Sequence, residues 1–127
     1  MFTERKRCIY LAARYYDAPL MREWRARLED RGHTITSRWI DGKKASDDYE
    51  RKRFASEDID DIKNSCTLIV RNDPNYFGTG WGGRHVEYGI AVAWEKDIFL
   101  VGGRENIFHY LDGVSYCCTF EDLVESL

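Results

Sequence analysis

The sequence predicts a single α/β domain, a mainly parallel sheet of four to five strands with helices on both faces. Three observations carry that expectation. Short apolar runs alternate with helical patterns along the chain. Glycines close strands and precede a helix. The 127 residues fit one compact domain, and no repeat or linker divides them.

Cys8-Ile9-Tyr10-Leu11-Ala12-Ala13 is an apolar run after a charged lead-in and reads as a buried central strand. Pro19 suits a first helical turn, with Asp17 as candidate cap. Leu20, Trp24 and Leu28 recur at helical spacing, so residues 18–31 read as an amphipathic helix that Gly32 stops. His33 to Trp39 alternates and is rich in β-branched residues, which predicts a second strand. A polar loop, Asp41 to Asp48, leads to a helix from Tyr49 to Asn64 with Phe54, Ile59 and Ile62 as its apolar face. Cys66 to Val70 is a third strand. A long loop, Arg71 to Gly83, precedes a helix marked by Val86, Ile90, Val92 and Ala93. Asp97 to Val101 is a fourth strand, ended by Gly102-Gly103, and residues 115–118 suit a short fifth. Thr119 caps a terminal helix, with Asp122 three residues on.

Composition narrows the function classes. At 43% hydrophobic the chain builds a core and is not of the disordered class. Nineteen basic against 22 acidic residues, a net charge of -3, argue against binding a nucleic acid polymer. Arg22, Arg25, Arg27 and Arg31 alternate with Glu23, Glu29 and Asp30, as on a solvated helix face. No run approaches the ~20 apolar residues of a membrane span. Thr3 to Arg7 is charged and the apolar run after it is short, so no secretory signal is read there. Cys8, Cys66, Cys117 and Cys118 show no C-x-x-C spacing, and His33, His85 and His109 are scattered, so neither a metal nor another cofactor is expected. Buried free thiols in a reducing, cytoplasmic compartment are the expectation.

Ligands of parallel sheets bind outside the carboxyl ends of the strands. That selects the loops Arg14 to Ala18, Asp41 to Asp48 and Asn72 to Gly83. Three segments there carry candidate chemistry. In Gly82-Gly83-Arg84-His85-Val86-Glu87-Tyr88-Gly89, glycines let the backbone approach an anion or sugar, and Glu87 falls near a helix N-terminus, which favours its ionised form. Such a carboxylate suits a glycosyl-transfer nucleophile; it equally suits a dipole partner. In Glu57-Asp58-Ile59-Asp60-Asp61, acids crowd a helix C-terminus against the macrodipole, so at least one has a role beyond solvation, and Asp58 shares a face with Asp61 and Ile62. After the first strand, Tyr10, Arg14, Tyr15 and Tyr16 suit stacking on a base and pairing with a phosphate, or ordinary half-buried packing. Trp81, in the glycine-rich loop, suits a lid over a base or an oligomer contact.

Taken together and in this order, these segments resemble the nucleoside 2-deoxyribosyltransferase family and its nucleotide N-hydrolase relatives. The carrying residues are Ile9-Tyr10-Leu11-Ala12, Asp58-Ile59 through Ile62-Lys63-Asn64-Ser65, and Gly83-Arg84-His85-Val86-Glu87-Tyr88-Gly89-Ile90-Ala91. The resemblance implies a flavodoxin-like, Rossmann-like sheet and cleavage of the N-glycosidic bond of a (deoxy)nucleoside or its monophosphate. It implies that Glu87 attacks the anomeric carbon, that Asp58 handles the proton of the departing base, and that Tyr10 orients the nucleophile. It implies transfer of the sugar to another base or to water, and a homodimer or higher homo-oligomer. Where the transferases carry an acid, and the nucleotide hydrolases Ser, six positions before the nucleophile, this chain has Trp81. That departure keeps an alternative in view, a non-catalytic nucleotide-binding or sensor module on the same fold. Arg84 suits a 5′-phosphate, a surface position, or an ion pair with Asp73. The segment Arg104 to His109 resembles one in small members of the family and carries no assigned role.

Overall fold

The computed structural model describes residues 5–73 and 82–127. Five strands, β1 (Cys8–Ala12), β2 (Thr34–Ile35), β3 (Thr67–Arg71), β4 (Asp97–Val101) and β5 (Val114–Cys117), form one sheet in the order β2-β1-β3-β4-β5. Every pairing is parallel. This is the strand order of the flavodoxin-like doubly wound fold. Among the described residues four α-helices complete it: α1 (Ala18–Asp30), α2 (Asp48–Lys63), α3 (Gly83–Ala93) and α4 (Phe120–Ser126). No helix among the described residues is long and apolar enough to cross a membrane.

Strand alternation divides the core in two. Ile9 and Leu11 of β1, Ile69 of β3, and Phe99 and Val101 of β4 face α1 and α4, where they meet Met21, Trp24, Leu28, Leu123 and Val124. Trp24 and Phe120 stack with ring centroids 4.4 Å apart, joining those two helices. The alternate residues, Tyr10 and Ala12, Leu68 and Val70, Ile98 and Leu100, face α2 and α3 through Ile62, Tyr88 and Ala91. Each fully buried Leu or Ile contributes about 1.5–3 kcal/mol relative to exposure. Both faces of the sheet are therefore covered, which is why β1, β3 and β4 read as continuous apolar runs.

Several elements depart from the sequence expectations. The second strand is Thr34–Ile35 and not residues 33–39. Thr36 N still donates to Ile9 O, but the next ladder position is taken by a side chain: Leu11 N donates to Ser37 Oγ at 3.1 Å. The backbone is thereby freed to enter a 3₁₀ turn, Arg38–Asp41. The fifth strand starts at Val114, one residue early. Asp17 makes no capping bond to α1; its carboxylate is held by Arg14 Nε (3.3 Å) and Arg71 Nη1 (3.0 Å). On α3 the buried residues are Tyr88 and Ala91, while Val86 is 63% exposed. On α2 only Ile62 of the three expected apolar residues enters the core. Thr119 does cap α4, accepting from Asp122 N at 3.1 Å. Buried thiols hold for Cys117 alone; Cys8 and Cys118 are exposed and Cys66 is half-buried.

Candidate active site

β1 is followed by a crossover to one side of the sheet and β3 by a crossover to the other. The crevice opens at that switch point, above the carboxyl ends of the strands. A cleft of about 640 Å³ lies there. Its walls come from residues 13–16 after β1, residues 38–45 after β2, the inward side of α2, and the start of α3. These are the loops that the parallel-sheet rule selects, as far as the described residues reach. Trp81 lies outside the described residues.

Glu87 opens onto the cleft from α3. The helix begins after Gly82, whose φ of +77° belongs to the left-handed region that glycine adopts without strain. Glu87 therefore sits in the second turn, not the first, beyond strong help from the helix N-terminus. The expectation of a readily ionised carboxylate is corrected accordingly. Burial, followed by the charge of Asp58, pushes the Glu87 pKa up to about 8. Tyr10 opposes that rise by donating its hydroxyl to Glu87 Oε2. Tyr10 is fully buried in β1, so the carboxylate is tied to the interior of the sheet. Burial and the facing carboxylates push the tyrosine's own pKa well above 10, which keeps it a donor.

Asp58 lines the same cleft from α2. Its pKa is raised to about 7, first by burial, then by Asp61 and Glu57, with Arg38 opposing. Two carboxyl groups with raised pKa values in one cleft make it the candidate site. The rest of the acidic cluster divides by role. Asp60 is exposed. Glu57 pairs with Arg53 at 3.5 Å, one turn back. Asp61 is buried and accepts from both Arg38 N (3.0 Å) and Arg38 Nε (2.9 Å).

The expected binding residues Arg14, Tyr15, Tyr16, Gly83 and Arg84 all line the cleft. Arg14 is held by Asp17 and Asp73. Tyr15 and Tyr16 meet edge to face, ring centroids 6.2 Å apart, and Tyr16 is 76% exposed. Gly83 leaves open space where a side chain would stand. Arg84 does not pair with Asp73: it donates to Asn72 Oδ1 (3.3 Å) and forms an ion pair with Glu105 at 2.5 Å. The segment left without a role is thereby placed. Glu105 also meets His85 at 3.3 Å, His109 Nδ1 accepts from Glu105 N, and the Tyr88 hydroxyl donates to Phe108 O, so residues 105–109 brace α3 from behind the cleft.

Sequence inspection missed Arg38, Trp39, Phe54 and Ile90, which also line the cleft. Trp39 Nε1 donates to Leu11 O at 2.8 Å, fixing the 38–41 turn against β1. Their signal was hidden because the 33–39 stretch read as strand and the apolar residues of α2 and α3 read as core. Among the described residues no group of three or more His, Cys, Asp or Glu side chains is placed to hold a metal.

No family model matches the chain, and no curated protein matches it in sequence. Solved structures do share its fold. A 2-deoxyribosyltransferase from the psychrotolerant bacterium Bacillus psychrosaccharolyticus superposes with a TM-score of 0.70 at 20% identity, over 91% of this chain and 88% of that one. The CMP N-glycosidase BcmB of Clostridium botulinum superposes with a TM-score of 0.57 at 18% identity, over 93% of this chain and 95% of that one.

Proposed function

We propose that the chain belongs to the nucleoside 2-deoxyribosyltransferase family and breaks the N-glycosidic bond of a (deoxy)nucleoside or (deoxy)nucleoside monophosphate. The observation that carries this is the Tyr10 hydrogen bond to Glu87 Oε2, with Asp58 facing the same cleft. With Oε2 held, Oε1 is the atom left to attack C1′. The C1′–N bond breaks as the C1′–O ester forms, and the departing base receives the bonding pair together with the Asp58 proton. Another base or water then takes the sugar, returning its proton to Asp58. The productive arrangement has the proton on Asp58 and the charge on Glu87; with values of about 7 and about 8 this is the minor protonation state of the pair, and the Tyr10 donor raises its share. The named chemistries of the two structural neighbours, deoxyribosyl transfer and CMP N-glycoside cleavage, support the same class of bond. A homodimer or higher oligomer in the cytoplasm, with no added cofactor, completes the proposal.

The test is incubation with deoxynucleosides and their monophosphates, following free base by chromatography. Glu87→Ala should abolish release while leaving the fold unchanged. Mass spectrometry of the acid-quenched wild type should find a sugar adduct on the peptide holding residue 87. Full activity in Glu87→Ala would sink the mechanism.

A further inference from the structure

Five cationic side chains line the cleft, Arg14, Arg38, Lys43, Lys44 and Arg84, and the four that make bonds among the described residues differ in what they have left to offer. Arg14 is held by Asp17 and Asp73, Arg84 by Glu105 and Asn72, and Lys43 by Glu50 at 2.6 Å. Arg38 is held differently. Its Nε and backbone N–H both go to the buried Asp61 carboxylate. Nη2 makes only a long contact of 3.5 Å to Glu57 O, and Nη1 has no partner among the described residues. The side chain is 59% exposed although Asp61 is 6% exposed. A guanidinium gripped at its inner edge, with its outer edge unspent in a cleft, is a fixed hydrogen-bond donor waiting for an acceptor.

We propose that Arg38 is a specificity-determining residue that hydrogen-bonds a carbonyl oxygen of the departing base, so that the chain selects oxo bases over adenine. The assignment rests on the N-glycosidic chemistry proposed above. It follows from what surrounds Arg38. Glu57, Asp60 and Asp61 all act on its charge, and Asp58 feels it in turn. A phosphate dianion among those carboxylates is repelled, whereas a neutral carbonyl is not. Asp58 delivers its proton to the base, so a group beside it is placed at the base and not at the sugar's 5′ end. When the C1′–N bond breaks, the bonding pair enters the base and its charge spreads onto a ring carbonyl. A fixed cationic donor there stabilises the leaving group more than the intact substrate, which is the condition for catalysis. Asp61 is then a positioning residue for Arg38.

Deoxyinosine and deoxyadenosine test the effect, since they differ at one edge of the base: a carbonyl at C6 beside an N1–H against an amine at C6 beside a bare N1. Wild-type kcat/KM should favour deoxyinosine by about 10- to 100-fold, the worth of one hydrogen bond to a charged group. Arg38→Met should remove most of that preference, lowering kcat/KM far more on deoxyinosine than on deoxyadenosine. Because Arg38→Met strands the buried Asp61 charge, Arg38→Met with Asp61→Asn is made beside it, and the pair should behave alike. Binding of both nucleosides to Glu87→Ala, with and without Arg38→Met, reads the same preference without turnover. If the wild type cleaves neither compound but Glu87→Ala binds deoxyinosine tighter through Arg38, the cleavage chemistry fails and the base assignment stands. Equal losses on both nucleosides, or an unchanged deoxyinosine preference, overturn the assignment.

Discussion

The Tyr10 hydroxyl donates to the Glu87 carboxylate, joining the centre of the sheet to the second turn of α3. The bond does two things. It fixes which carboxylate oxygen is free, and it is the one interaction that lowers the Glu87 pKa against the two that raise it.

The pH dependence of kcat/KM follows. A bell is expected, rising near 7 and falling near 8; because the productive form carries its proton on the group of lower pKa, both limbs belong to the Asp58–Glu87 pair. Tyr10→Phe removes the lowering bond, so the Glu87 limb should move to higher pH and kcat/KM should fall by about 10- to 100-fold. Asp58→Asn removes a raising charge and the acid. It should leave a single ascending limb, shifted below that of wild-type Glu87, with a loss of about 100-fold or more. Rate profiles from pH 5 to 10 decide this; a Tyr10→Phe limb that moves down contradicts the electrostatic assignment.

Glu87 also makes stability depend on pH. Its folded pKa stands well above its unfolded value, so its contribution is favourable in full below the unfolded carboxylate range and is lost as pH rises through about 8. Glu87→Gln keeps an acceptor for Tyr10 and removes the titration. It should be near neutral at pH 4 and stabilising at pH 9, by on the order of 2–4 kcal/mol. Urea denaturation at the two pH values measures it, and an equal effect at both would contradict the burial-driven shift.

Much of this was legible in the sequence, and what was not has identifiable causes. The sheet was visible because β1, β3 and β4 are buried on both faces, which forces unbroken apolar runs. The chemistry proposed for Glu87, Asp58 and Tyr10 came from resemblance; in the structure both acids line one cleft and Tyr10 bonds Glu87. Alternation over residues 33–39 misled because Ser37 supplies a side-chain acceptor where the strand would have supplied backbone. Periodicity on α2 and α3 could not separate core from cleft, since Phe54, Ile59, Val86 and Ile90 keep helical spacing while lining the site. Helix physics gave the wrong sign for Glu87, because one more turn of depth exchanges the dipole for burial.

Gly102 connects stability to the site. It has a φ of +94°, and a side chain there would place Cβ 2.3 Å from Asn72 O. Backbone cannot yield as a flexible side chain does, so Gly102→Ala should destabilise by about 2–4 kcal/mol. Asn72 holds both Gly103 O and Arg84, so the displacement reaches the cleft. The variant should lower both the melting temperature and the affinity for nucleoside, whereas Gly89→Ala, which meets open space, should change neither by much. Calorimetric melting and ligand titration on the two variants provide the comparison.

The support behind α3 is expected to fail in mild acid. His109 is 1% exposed, and its Nδ1 accepts from Glu105 N, which requires the neutral ring. Burial lowers its pKa, with His85 and Arg84 adding to the fall and Glu105 opposing it; burial and then Arg84 lower that of His85. A histidine with a depressed folded pKa contributes stability above its unfolded value, and that contribution is lost as pH falls through the folded one. Stability should therefore drop between pH 7 and 5, before ordinary carboxylates titrate. His109→Gln, which offers a neutral acceptor, should flatten the drop at the expense of packing against Tyr88. Denaturation midpoints at pH 7.5 and 5.0 check it. A wild type as stable at pH 5.0 as at 7.5 would show that the 105–109 brace does not depend on a neutral imidazole.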